Sequence, residues 1–207
     1  MLISVIGAGA MGRAVARQYV RSGAHVLVTD RSGECAAEAA AQTGADMADS
    51  VREALRADIV TLAVGHERAL EFVTAHAAEL ADRTVVDTTN PEESDHPRGW
   101  QGLPSIAEVI AQAVPAASVV KAFNTLCASA VLSGRIDGLR TDVFVASDDE
   151  AAKATVIEVV DRSGMRALDA GGLHKALVLE QMAALCTEII DRLKIPPRAG
   201  MKFLPDW

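Results

Sequence analysis

Gly7, Gly9 and Gly12 open this 207-residue chain with the spacing G-x-G-x-x-G, and Asp30 follows 18 residues after the last of them. Those residue types at that spacing suit one task, the holding of a dinucleotide's pyrophosphate and ribose. Gly7 allows a tight turn out of a strand. Gly9 carries no side chain, so a pyrophosphate can approach the backbone, and Gly12 lets the following helix pack closely. Ala10 and Met11 stand at the helix N-terminus, where free N–H groups and the positive dipole end favour phosphate. Asp30 is placed to accept hydrogen bonds from ribose hydroxyls. Arg31, beside it, can swing to a phosphate or stack on adenine.

The elements that must position these residues are legible around them. An apolar run over 2–6 precedes the glycines, a helical stretch over 10–22 follows, and a second apolar run over 25–29 ends at Asp30. That order of strand, glycine turn, helix, strand and acid turns a weak motif into a specific one. Further strands are expected over 58–64, 84–88, 118–123, 142–146 and 165–168. Helices are expected over 33–42, 50–56, 67–80, 105–114, 128–132, 149–163 and 173–193. Gly23, Gly44 and Gly164 mark helix ends. Asp49 or Ser50 can cap the third helix, and Ser105 the fifth. Such alternation predicts an α/β fold, a doubly wound parallel Rossmann sheet covered by helices on both faces. The expected division is a dinucleotide-binding core over 1–140 and a C-terminal part over 141–207, packed together as one unit. The polar, turn-rich stretch over 89–104 reads as an exposed loop after a strand, either a lid or a simple connection.

Few other residues stand out for chemistry. No catalytic triad, metal motif or pair of carboxylates is evident. If a substrate needs a proton, His66, His174 and Lys121 are the candidate donors, each near an expected strand end or turn. Lys121 lies within a strand, where packing its stem and pairing with a carboxylate is the expected role. Asp87 is expected to order the turn after its strand, and Cys127 to be a small packing residue. His25, His76 and His96 read as surface residues.

Composition excludes several classes. The net charge of −8 argues against non-specific binding to nucleic acid or to an anionic membrane. Cys35, Cys127 and Cys186 are far apart in sequence and form neither a disulfide framework nor a zinc site. The first apolar run is too short for a signal peptide, and no stretch of eighteen apolar residues occurs, so a cytoplasmic protein is expected. The helix over 173–193 is apolar around much of its circumference: Leu177, Val178, Leu185, Ile189 and Leu193 on one side, widened by Leu179, Met182 and Ile190. A homodimer would cover such a surface.

Three distant stretches then converge. VVKAFNTL spans 119–126, DVFVASDDEAAKATVIEVVDRSGMRALDAGGL spans 142–173, and LEQM at 179–182 is followed by AGMKFL at 199–204. With the glycine turn, they resemble the deazaflavin (coenzyme F420)-dependent NADP oxidoreductase family over nearly the whole chain. The resemblance implies a small C-terminal extension that completes a second substrate pocket. It implies that Ala63, Val64 and Gly65 border the nicotinamide, and that Asn90 and Pro91 close one side. Asn124, Leu126, Gly171 and Gly172 would meet the deazaflavin co-substrate.

Departures from the family pattern bear on the cofactor. The family places Ser or Thr before the arginine that follows its second strand. Here Asp30 precedes Arg31, and a carboxylate there suits the free ribose of NAD rather than the 2′-phosphate of NADP. A basic residue one turn later is Cys35 here, and the arginine before the Leu-Glu motif is absent from Ala176-Leu177-Val178. Both NAD and NADP therefore remain open. The leading function is hydride transfer between a nicotinamide dinucleotide and a deazaflavin. The alternatives are an NAD(P)H-dependent reductase of a small carbonyl, imine or flavin, and a non-catalytic nucleotide-binding redox sensor.

Overall fold

In a computed structural model, which describes residues 1–91 and 103–204, eight strands form one sheet. They are β1 (Leu2–Ile6), β2 (His25–Thr29), β3 (Asp46–Met47), β4 (Ile59–Leu62), β5 (Thr84–Asp87), β6 (Ser118–Lys121), β9 (Asp142–Ala146) and β10 (Arg166–Gly171). Their order across the sheet is β10-β9-β6-β5-β4-β1-β2-β3. The block from β3 to β6 is parallel, as the alternation of strands and helices requires. The chain steps from β1 to β2 on one side and returns at β4 on the other. The crevice between β1 and β4 is thus the switch point at which such sheets bind ligands.

Strands buried on both faces need apolar side chains at successive positions. Ile3, Val5, Val60, Leu62, Val85, Val86 and Val120 meet that need and are all buried. One face is covered by α1 (Ala10–Arg21), α2 (Gly33–Thr43), α6 (Ala128–Ser133) and α7 (Glu150–Arg162). The other is covered by α3 (Val51–Ala54), α4 (His66–Ala75), α5 (Ile106–Ala113) and the start of α8 (Ala176–Leu193). Ser32, Ser50, Ser105 and Asp149 cap α2, α3, α5 and α7 with side-chain oxygens. With Glu108, Ser105 forms a reciprocal capping box.

The expectation of an all-parallel sheet needs one correction. β9 joins β6 antiparallel, with Lys121 opposite Ala146, and β10 follows β9 in parallel. The cause lies between β6 and β9. α6 is only six residues long, and a hairpin of β7 (Arg135–Ile136) and β8 (Leu139–Arg140) follows it. Neither crosses the sheet, so the chain enters β9 from the carboxyl edge and runs back. On leaving β10 the chain therefore heads toward the amino ends of the core strands. It makes a 3-10 turn at Leu173–Lys175 and returns along α8.

The tail after α8 is tied to the start of β9. Asp142, wholly buried, accepts hydrogen bonds from Arg166 Nε at 2.8 Å, Lys202 Nζ at 2.5 Å and the Phe203 amide at 2.8 Å. No described helix is long and apolar enough to cross a membrane.

Candidate active site

The glycine turn sorts its three glycines by what a side chain would meet. A Cβ on Gly7 would lie 2.5 Å from the Ala63 carbonyl oxygen, and Gly7 has φ +110°. A Cβ on Gly12 would lie 1.9 Å from the Gly7 carbonyl oxygen, so the helix packs on the turn itself. A Cβ on Gly9 would meet nothing within 4 Å. Gly7 and Gly12 are needed for the fold. Gly9 is not, and the space before it is the cradle expected for a pyrophosphate. No side chain caps α1 and its first turn holds no acid, which leaves the helix N-terminus open to an anion.

Two cavities of about 370 Å³ each flank this turn and share Val64. The first is lined by Gly7, Asp30, Arg31, Arg68, Phe72 and His76 among others. It is suited to an adenosine. The second is lined by Gly9, Ala10, Met11, Ala63, Val64, Gly65, His66, Thr88, Thr89 and Asn90. It is suited to a nicotinamide. Together they gather most of the expected cofactor residues around the switch point; Gly12 packs behind the turn and Pro91 follows Asn90. His66 starts α4 at the second cavity.

Asp30 does more than meet a ribose. Its Oδ2 accepts the Ala8 amide at 2.8 Å and its Oδ1 accepts the Ser32 amide at 3.0 Å. Burial works against its charge, but these backbone donors and the neighbouring Arg31 outweigh it and hold the carboxyl below its usual range. The carboxylate thus braces the glycine turn. From the other side, Arg13 Nε donates to the Ala8 carbonyl at 2.9 Å.

Arg68, Phe72 and His76 were not anticipated as site residues, and His76 is half-buried rather than a surface residue. Spaced four apart, Arg68 and Phe72 share one face of α4 and His76 ends the helix beyond them; the Phe72 and His76 ring centroids lie 4.7 Å apart. That spacing on the helix after a switch-point strand is the signal that could have revealed them. His25 is exposed and pairs with Asp46 at 3.0 Å, and His96 lies outside the described residues. Most of the polar stretch over 89–104 does too.

The wall behind the second cavity is built by a buried ion cluster. Lys121 Nζ donates to Asp87 Oδ2 at 2.8 Å, to the Thr89 carbonyl at 2.6 Å and to Glu180 Oε1 at 2.6 Å. Asp87 Oδ1 accepts the Thr89 amide at 2.9 Å. Both backbone groups of Thr89 are therefore held by one ion pair. Asn90 Nδ2 donates to the Asn124 carbonyl at 2.8 Å, and Asn124 Nδ2 donates to Asn90 Oδ1 at 2.9 Å. Thr89 Oγ1 and Asn124 Oδ1 are buried with no hydrogen-bond partner among the described residues.

Four expected residues lie elsewhere. Leu126 is a core residue that faces the tail: it bridges to Gly200 and lines a separate cavity of about 130 Å³. Gly171 ends β10 opposite Ala146, level with Lys121 at the end of β6, but it and Gly172 line neither of the two cavities. A Cβ on Gly172 would lie 2.8 Å from Asp148 Oδ1, which makes it a packing glycine. His174 is exposed on the 3-10 turn beyond them and lines neither cavity. Cys127 precedes α6 and is free, as are Cys35 and Cys186.

Residues 2–91 match the family described as NADP oxidoreductase, coenzyme F420-dependent. An F420-dependent NADP reductase of Methanothermobacter thermautotrophicus is 27% identical over 94% of this chain and 91% of its own length. This chain is thus similar to F420-dependent NADP reductases over nearly all of its length. A candidate F420-dependent NADP reductase of Arthrobacter sp. FB24 superposes with a TM-score of 0.84, at 26% identity over 98% of this chain and 99% of that one. The rat metalloreductase STEAP3 is 32% identical over 94% of this chain, but the chain spans only 38% of its length. The relatives are thus named as NADP reductases and as metalloreductases, which supports an NAD(P)-dependent oxidoreductase, and the chain shares its mostly parallel Rossmann core with the Arthrobacter structure.

Proposed function

We propose that this protein transfers hydride between NADP(H) and a deazaflavin of the F420 type. The observation that carries the reading is the open cradle before Gly9 between two cavities at the switch point. The deazaflavin is favoured by the relatives' names, which match the chain over nearly all its length. Both cofactors supply the redox chemistry; the protein's task is binding and orientation. Gly9 and the start of α1 would receive the pyrophosphate. Ala63, Val64 and Gly65 would border the nicotinamide, and Thr89, Asn90 and Asn124 would fix its far side. Hydride transfer between two rings asks for no strong acid or base here, and Lys121 is committed to Asp87 and Glu180.

The test is spectroscopic. Purified protein is mixed with NADPH or NADH and oxidised deazaflavin, and the loss of deazaflavin absorbance is followed. Turnover is expected with NADPH. No loss with either nucleotide overturns the deazaflavin reading; reduction of a free flavin instead would favour the alternative of an NAD(P)H-dependent flavin reductase.

The nucleotide choice turns on two arginines. Asp30 is engaged with the Ala8 and Ser32 amides, whereas Arg31 and Arg68 both line the adenosine-side cavity and are exposed. A 2′-phosphate would find two cations there. Arg68→Ala should weaken NADPH binding about tenfold, the worth of one partly solvated charge-assisted contact, and NADH binding much less. Equal losses for both nucleotides, measured by titration, would remove Arg68 from phosphate recognition.

A homodimer is part of the same reading. Val178, Leu185, Ile189 and Leu193 are between 43% and 63% exposed along one stripe of α8. The described part of the tail runs against Leu126 and Asp142 instead. Sedimentation at micromolar concentration should give a dimer, and a monomer would sink the proposal.

A further inference from the structure

Lys121 is fully buried with two carboxylates, and Asp87 accounts for only one of them. The second, Glu180, comes from α8, an element that contributes no residue to the lining of either cavity. Its carboxylate is 1% exposed and makes two kinds of contact. Oε1 accepts Lys121 Nζ at 2.6 Å and the Ile106 amide at 3.0 Å; Oε2 lies 3.3 Å from the same amide. Ile106 is the first residue of α5, so Glu180 also satisfies one of that helix's free N–H groups.

A buried ammonium with a single carboxylate partner could take several positions. The third bond, to Glu180, leaves Lys121 Nζ one place to sit, between Asp87, Glu180 and the Thr89 carbonyl. The placing of that nitrogen sets the Thr89 carbonyl. The Thr89 carbonyl sets the turn into Asn90, and Asn90 is locked to Asn124. Thr89 and Asn90 line the nicotinamide-side cavity, and Asn124 stands behind Asn90. Burial pushes the Glu180 carboxyl up against the pull of Lys121, so the residue is held there at a cost that packing alone does not require.

We infer that Glu180 is a positioning residue for hydride transfer, acting through Lys121 on the Thr89–Asn90 wall that holds the nicotinamide. The inference rests on the dinucleotide reading above. It goes beyond it by making the C-terminal helix a determinant of the ring's orientation. Hydride transfer depends steeply on placement, and a displacement near 1 Å can cost about a hundredfold.

The test compares wild type with Glu180→Ala, Glu180→Gln and Glu180→Asp by the emission of saturating bound NADPH, which needs no acceptor. Deazaflavin turnover is measured beside it. In Glu180→Ala, emission should move toward that of free nucleotide, and kcat should fall by about tenfold to a hundredfold with KM changed less than about threefold. Glu180→Gln should restore most of both, because its Oε1 can still accept from Lys121 and Ile106. If Glu180→Ala does not fold, Glu180→Asp carries the test. It keeps the charge but is one methylene too short to reach both partners, and it should show the same changes in smaller measure. A folded Ala or Asp variant with wild-type emission and kcat overturns the inference. Failure of wild type to alter NADPH emission would overturn the dinucleotide reading itself. Altered emission without deazaflavin turnover would overturn only the acceptor, leaving the emission arm to decide the role of Glu180.

Discussion

Gly9→Val should abolish nucleotide binding and leave the fold intact. The position has an ordinary φ of −71°, and a Cβ there meets no protein atom within 4 Å. The added isopropyl group therefore costs the apo protein little. It fills the space that a pyrophosphate must enter to reach the open end of α1. Loss of that approach should raise Kd for NADPH by at least about a hundredfold, or roughly 2.7 kcal/mol, with a melting temperature near that of wild type. Gly12→Val is the control that behaves in the opposite way. Its Cβ would lie 1.9 Å from the Gly7 carbonyl oxygen, so the turn must break or the helix must move. That variant should lose stability first. A folded Gly9→Val protein that binds NADPH normally would show that the cradle is not the pyrophosphate site.

The second large effect is expected at Lys121. Lys121→Met keeps the volume of the stem and removes the charge, which leaves Asp87 and Glu180 buried without their cation. Removing one partner of a buried ion pair costs about 3–5 kcal/mol. In a domain of this size that lowers the melting temperature by roughly 10 °C. The pH dependence has a definite sign. Burial already pushes the Glu180 carboxyl up, and Lys121 is the main opposing influence. Without it, the folded-state value of the Glu180 carboxyl rises further above its unfolded one. Stability from such groups is fully present below the unfolded value and is lost as pH rises through the folded one. The deficit of Lys121→Met relative to wild type should therefore be largest near neutrality and shrink as pH falls toward 5. A deficit that does not change between the two would mean that Glu180 does not titrate over that range.

Much of this architecture was legible because burial leaves a periodic trace. The strands over 2–6, 25–29 and 142–146 match the structure residue for residue. Each is a short apolar run that ends at a turn residue. α1 and α2 each end within one residue of expectation. What escaped was short or directional. β3 has two residues, too few to show a period. The β7–β8 hairpin is equally brief, although Asp137-Gly138, with φ of 49° and 77°, is the dipeptide such a turn favours. The reversal at β9 was invisible, because alternating strands and helices do not say which way a strand enters a sheet. Gly171, Gly172 and His174, which come after it, line neither of the two cavities. At the site, Gly9 could be read directly, since its chemistry is local. Asp30 could be read as an acid at the right distance, but not as a brace for Ala8. The Lys121 cluster had no local signature at all, since its members come from three separate elements.

The distance along the chain between those members also orders events during synthesis. Asp87 and Lys121 are made early and can meet as soon as β5 and β6 pair. Glu180 is not yet available. Until it is, the ammonium at the sheet's centre lacks one partner and the first amide of α5 lacks its acceptor. The middle of the molecule must then stay partly hydrated while the ribosome adds the remaining residues, although its strands are already complete. Closure of the interior awaits the C-terminal helix, so a nascent chain halted before residue 180 carries a finished Rossmann sheet with an unsealed core, the kind of partly exposed species that chaperones retain.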